Sequence, residues 1–288
     1  MPSLIDMRRR IRTVRSTQQI TKAMKMISAA RLRKAQERAF DARPFANLLQ
    51  EVLQSLVSRV EKPEHPLLVQ RPEERIRVVV LSGDRGLCGA FNTNINRATE
   101  RFLVDHNQQK VEMVPVGRKA RDYFRRRKAN IHKDYIGIFS RLSFDHAREI
   151  AGDIITSYAD GNCDAVYVIY NEFKSMLSQR VIVNRLLPLA GFKPAQDRAS
   201  AFTKVDYIYE QPPEKIFVRL LPRYVETLIF RALLESSASE HAARMTAMDS
   251  ASNNAGEMIE SLTLTMNRVR QATITKELIE VVSGAAAL

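Results

Sequence analysis

The most regular hydrophobic pattern in the chain lies near its C-terminal end. Alternating gaps of three and four residues reach Leu234, Ala238, His241, Met245, Met248, Ser252, Ala255, Ile259, Leu262, Met266, Val269 and Thr273, and nine of these twelve are apolar. A mean gap of about 3.5 residues is the seam of a left-handed coiled coil. No proline follows Pro222, and Gly256 is the only glycine between Pro222 and Gly284. The pattern predicts one long helix, roughly 90 Å if about 60 residues each rise 1.5 Å. Such a helix needs a partner or a sleeve. The seam is thin, because Ala238, Ser252 and Ala255 are small and methionine recurs where leucine would specify packing better. An ordinary bundle helix is the plainer alternative, and the sustained repeat favours the coiled coil.

The N-terminus predicts the partner. Ser3 is an N-cap candidate with Asp6 three residues on, as in a capping box. Leu4, Met7, Ile11 and Val14 keep the same spacing, and Gln18 and Thr21 continue it with polar side chains. The apolar stripe then shifts to Ile20, Met24 and Ile27, which predicts a stutter that relaxes the supercoil. Pro44 is expected to kink this helix, and the helical pattern resumes with Leu48, Leu49, Val52, Leu53 and Leu56. If Pro44 and Pro222 mark one level of an antiparallel pair, partner numbers sum to about 266. Met24 then faces Arg244, Leu4 faces Leu262, and residues from Arg270 onward have no N-terminal partner.

The period changes in the middle. Ile76–Leu81 is a short apolar run of the kind a buried strand makes. A glycine loop, Ser82–Ala90, follows it, then a helix over 92–105, a strand over 111–116 and a helix over 118–128. A third helix is expected over 144–158, a strand over 165–170, an antiparallel partner strand over 178–187 and a short edge strand over 206–210. Alternating strands and helices predict an open sheet. The fold class is therefore α/β: a long antiparallel coiled coil of the two terminal helices plus a central open α/β (Rossmann-like) sheet domain. The expected divisions are 1–61, 72–211 and 212–288.

Composition narrows the function classes. There is no run of apolar residues long enough for a membrane span. The N-terminus lacks the apolar core of a secretory signal and is expected to be mature. Cys88 and Cys163 form no disulfide or metal framework, so a reducing compartment and inert, buried thiols are expected. The formal charge is +13 and unevenly placed: residues 1–43 hold twelve basic against three acidic side chains, a net +9, whereas residues 223–288 hold six against eight, a net −2. Nucleic acid, an anionic membrane surface or an acidic protein could each answer a basic helix of this kind.

Candidate chemistry is sparse. Gly83, Gly86 and Gly89 lie between a strand and a helix, where a phosphate-binding loop would sit. The spacing matches neither the dinucleotide fingerprint nor the P-loop. A tight turn is the reading kept, with Gly86 expected at positive φ. Cys88 beside Arg85 could be a reactive thiol, but none of the five histidines has a linked spacing to it. His241 on the seam is read as a satisfied interfacial histidine. Arg125–Lys128 is read as a solvated helix end. No paired carboxylates or metal-ligand cluster stand out, and no cofactor is expected.

Four stretches carry a resemblance: Ile11–Val14 with Ile20–Met26, Leu81–Gly89, Ala242–Met248 and Arg270–Leu278. Together they make the chain resemble the gamma subunit of the rotary F-type ATP synthase over essentially its whole length. The cysteine-bearing insertion of the chloroplast form is not evident. The resemblance implies a non-catalytic shaft turning inside a ring of three alpha and three beta subunits, with the catalytic sites mainly on beta. It implies partners in the epsilon subunit and the c-ring, at the cytoplasmic face of a bacterial plasma membrane, touching the membrane only through the complex. By family position, Met24, Lys25, Arg244, Arg270, Gln271 and Thr275 lie in the shaft–ring contact zone, and Tyr207, Tyr209 and Glu210 lie near the epsilon and c-ring end. No nucleic-acid partner is expected. The alternatives are a basic coiled-coil adaptor for nucleic acid or membrane and a small α/β enzyme using the glycine loop.

Overall fold

The computed structural model of the chain describes residues 3–57, 65–176, 178–189 and 211–286. Two helices, α1 (Leu4–Val57) and α5 (Pro213–Ala286), frame the chain. The chain divides into two compact units, one of Met1–Ala29 with Arg244–Leu288 and one of Ala30–Ala243.

In the first unit the opening turn of α1 forms as its residues dictate. The Asp6 N–H donates to Ser3 Oγ over 3.1 Å, and the Ser3 N–H donates to Asp6 Oδ2 over 3.3 Å. This reciprocal pair satisfies donors that a helix start leaves open. Farther on, Gln18 Nε2 donates to the Ser252 carbonyl at 3.3 Å, and Lys25 Nζ lies 2.6 Å from Asp249 Oδ1. Numbers rise along α1 as they fall along α5, so the pair is antiparallel. Paired residues sum to 270–274, and the proline-derived register of about 266 is therefore one to two turns short. The two prolines do not share a level. Both lie within continuous helices, and Pro44 is exposed, where water can meet the carbonyl it leaves unpaired.

The expected stutter is also corrected. The inward side of α1 keeps unbroken three-four spacing through Met7, Ile11, Val14, Gln18, Thr21, Lys25, Ser28, Leu32, Ala35 and Ala39, all buried or half-buried. Ile20 and Ile27 point outward, 58% and 54% exposed. Apolarity misleads here because Gln18, Thr21 and Lys25 find hydrogen-bond partners on α5, which offsets the cost of turning them inward.

In the second unit lie β1 (Arg75–Leu81), α2 (Phe91–Asp105), β2 (Lys110–Val116), α3 (Arg118–Arg126), α4 (Phe144–Ala159), β3 (Ala165–Phe173) and β4 (Gln179–Leu187). The sheet order is β2-β1-β3-β4, with β1 parallel to both its neighbours and β4 antiparallel to β3. These elements match the expected ones to within a few residues at their ends. The expected edge strand over 206–210 lies outside the described residues.

The sheet buries both faces, which is why β1 reads as an uninterrupted apolar run. Ile76, Val78 and Val80 pack with Ile95 and Phe102 of α2 and Phe124 of α3. Val79 and Leu81 belong to a second core with Ile150 and Ile154 of α4, Leu53 and Leu56 of α1, and Phe217 and Leu221 of α5. Arg77, 2% exposed on the same side of β1 as Val79, is tied to Glu112 of β2 at 2.7 Å and to the Ser157 hydroxyl of α4. A buried arginine is tolerated because its charge and its N–H groups are answered.

The tightest backbone approach joins the ends of β1 and β2. Gly117 has φ +105°, and a Cβ there would sit 2.1 Å from the Ser82 carbonyl oxygen. Only glycine fits. Gly86, expected at positive φ, is not in that region, and a Cβ there would meet only the Lys119 side chain, at 3.8 Å. The left-handed residues of the loop are Leu87, φ 60°, and Gly89, φ 55°. Gly117→Ala is therefore expected to destabilise the chain by about 2 kcal/mol or more, and Gly86→Val by less than about 1 kcal/mol. Chemical denaturation of the two variants, compared at their midpoints, checks this order.

Candidate functional site

The glycine loop can be tested as an anion site by following its amides. A phosphate cradle needs free N–H groups at a helix start. The helix that the loop opens is α2, where the Phe91 N–H donates to the Cys88 carbonyl at 3.2 Å and the Asn94 N–H to the Ala90 carbonyl at 2.8 Å. The neighbouring helix α3 is tied to the loop through its own first amides. The Arg118 N–H donates to Asp84 Oδ1 at 3.1 Å, Lys119 to the Gly83 carbonyl at 3.1 Å, Ala120 to Ser82 Oγ at 2.9 Å and Arg121 to the Gly117 carbonyl at 3.3 Å. Asp84 Oδ1 also accepts from the Gly137 N–H at 3.0 Å. The Asp84 carboxylate thus answers the first amide of α3 and ties that helix to the loop. Asn92 fastens the rest of the loop: its Oδ1 accepts from the Gly83 N–H at 2.9 Å, and its Nδ2 donates to Cys88 Sγ at 3.1 Å. The loop is a structural joint, and Asp84 is its key side chain, which composition alone did not single out.

Both cysteines are buried and unbridged. Burial pushes the Cys163 thiol up to about 11 from an ordinary 9.0, so the reactive thiolate is suppressed. Among the described residues no group of three or more metal-ligating side chains is placed to hold an ion. No described helix is long and apolar enough to cross a membrane.

What remains is the paired seam and the end of α5. Thr21, 8% exposed, and Ser252, 4% exposed, meet with hydroxyl oxygens 2.6 Å apart. Gly256 lies one turn on, where a Cβ would come within 3.2 Å of Gln18 Nε2. Close approach here depends on small residues. The Lys25–Asp249 pair is 43% and 46% exposed, so it is screened by solvent and adds little stability. Met24 is half-buried and Arg244 is buried, 9% exposed. Arg270, Gln271 and Thr275 are exposed, as is every residue from Gln271 to Ser283. Met248, Ser252 and Ala255 of the expected seam are buried, and Ile259, Leu262, Met266 and Val269 are half-buried, whereas Thr273 is exposed. Tyr207, Tyr209 and Glu210 lie outside the described residues.

The family model described as ATP synthase matches residues 3–288. The ATP synthase gamma chain of Solibacter usitatus is 52% identical over 291 residues, covering 100% of this chain and 99% of that one. The ATP synthase gamma chain of an Anaeromyxobacter species is 50% identical over the full length of both. The chain belongs to the ATP synthase gamma-chain family. Among solved structures, the central stalk and c-ring assembly of the Tetrahymena thermophila mitochondrial ATP synthase contains a chain 28% identical, with TM-score 0.63, covering 81% of this chain and 99% of that one. A rotor chain of the Euglena gracilis mitochondrial enzyme shares the fold at TM-score 0.68 and 21% identity, covering 94% and 98%. A gamma chain is a non-catalytic subunit of ATP synthase.

Two measurements check this geometry. Cysteines at 21 and 252 are expected to cross-link far more readily than cysteines at 24 and 244, and the reverse order would reinstate the proline register. The second concerns alkali. The Cys163 thiol holds its proton more tightly folded than unfolded, so its contribution to stability is complete below pH 9.0 and lost as pH rises towards about 11. The melting temperature is expected to fall across that window, and Cys163→Ala to flatten the fall.

Proposed function

We propose that this chain is the rotating shaft of a bacterial-type ATP synthase, coupling ion flow across the membrane to ATP synthesis. The observation that carries this reading is the end of α5. Ile274, Leu278, Ile279, Val281 and Val282 are each at least half exposed, and none of the described residues covers them. Apolar surface of this extent calls for a partner. A sleeve of three alpha and three beta subunits supplies one without requiring fixed polar contacts, which would stall rotation. In this reading the catalytic sites belong to beta, and the shaft presents a different side to each in turn. Asymmetry is required, because a shaft with threefold symmetry could not hold three identical sites in different states. The strongly basic α1 beside a nearly neutral α5 provides it.

Arg270, Gln271 and Thr275 are the exposed members of the proposed ring contact. Met24 borders it, while Lys25 and Arg244 already interact within this chain and would reach the ring by exchanging those contacts. The sheet domain, 72–211, faces the epsilon subunit and the c-ring, where Tyr207, Tyr209 and Glu210 belong by family position. The complex sits on the cytoplasmic face of the plasma membrane, which this chain touches only through its partners.

Co-expression with alpha, beta and epsilon subunits tests the reading. The chain is expected to co-purify with an ATP-hydrolysing hexamer and, with the membrane sector, to make ATP hydrolysis acidify vesicles. A chain that stays outside the hexamer and binds DNA in a salt-sensitive way would instead establish the adaptor reading.

A further inference from the structure

Within the second unit, α1, α5 and β3 meet at one buried charge. Glu235 of α5 is 1% exposed. Its Oε1 accepts from Arg231 Nε, one turn earlier on α5, at 3.1 Å, and lies 3.6 Å from Arg43 Nη2 of α1. Arg43 Nη2 also donates to the Phe173 carbonyl of β3 at 3.5 Å, and its guanidinium lies 4.9 Å from the centroid of the Phe40 ring. Among the described residues, Glu235 Oε2 and Arg43 Nε have no hydrogen-bond partner. One turn along α5, Ser239 Oγ donates to the Asn171 carbonyl of β3 at 3.1 Å. The surrounding seam is smooth: Ala35, Ala39 and Ala46 on α1, and Ser236, Ala238 and Ala242 on α5, are all buried.

Small buried residues resist sliding poorly. Apolar contact is non-directional and can be remade one notch along. The contact between Glu235 and Arg43 cannot be: Arg231 travels with α5, but sliding α5 on α1 parts the buried carboxylate from Arg43, which the Phe173 carbonyl holds beside the sheet. A polar group at one seam position is also the best-attested way to fix a coiled-coil register.

We propose that Glu235, with Arg43, is the cross-pin that fixes α5 against α1 and ties both to the sheet, so that torque passes through the shaft as rotation and is not lost as slip between helices. This rests on the rotor reading. Glu235 is a positioning residue, touching neither substrate nor catalytic site.

The test uses the complete complex in vesicles, measuring ATP hydrolysis and protons pumped per ATP. Glu235→Gln keeps the side chain's shape and removes its charge. It is expected to leave hydrolysis within about twofold of the parent while pumping per ATP drops to about half or less. Arg43→Met with Glu235→Leu removes the pin without leaving that carboxylate unpaired, an exchange that commonly preserves stability. This double variant is expected to assemble, melt near the parent temperature and pump as poorly as Glu235→Gln. Parental pumping per ATP in either assembled variant overturns the cross-pin. If neither assembles, Glu235 serves folding alone and the proposal also fails. If the unmodified chain does not join the hexamer, it is the rotor reading that falls.

Discussion

The structure depends on a pairing that hydrophobic burial alone cannot specify. Each terminal helix must cover one stripe, because a helix this long gains most of its stability from packing. The stripe of α1 includes Gln18, Thr21, Lys25 and Ser28, and that of α5 includes Ser252, Ala255 and Gly256. Small and polar residues allow close approach but contribute little corrugation. Direction therefore comes from hydrogen bonds: Gln18 to the Ser252 carbonyl, and the meeting of the Thr21 and Ser252 hydroxyls. Shifting the register would leave buried polar groups unpaired, at about 1–3 kcal/mol for each.

The same logic operates in the sheet unit. Apolar strands give it volume, but buried polar groups fix the arrangement. Arg77 ties β1 to β2 and α4, and Asp84 closes the start of α3. Burial raises the Tyr170 hydroxyl to about 12, with the Glu235 charge as the second cause. That hydroxyl stays neutral beside the buried carboxylate over a wide pH range. Coupling by this subunit thus becomes a question of rigidity: Asp84 and Asn92 hold the glycine loop to α3 and α2.

A seam that is slender and partly polar also leaves apolar residues outside. Ile20, Ile27 and the end of α5 are exposed, as expected of a helix pair enclosed by other subunits. Surface that is a liability in an isolated chain becomes a bearing in an assembly.

The sequence by itself determined the elements. Period-3.5 stripes located both terminal helices, apolar runs located the strands to within a few residues, and Ser3 with Asp6 marked a helix start, because these signals are local. The sequence also carried the resemblance to the family, at Ile20–Met26, Leu81–Gly89 and Ala242–Met248. Tertiary structure alone decided how α1 and α5 pair, which side of α1 faces inward, and which glycine is indispensable. Prolines were a poor guide to register, because a proline on an exposed helix side need not break anything. Apolarity was a poor guide to the seam, because Gln18 and Thr21 are bonded inside while Ile20 is not needed there. Gly117, 28 positions after Gly89, became essential only when β1 and β2 brought it against Ser82. Distances between residues far apart in the chain are set by packing, and one sequence read alone does not contain them.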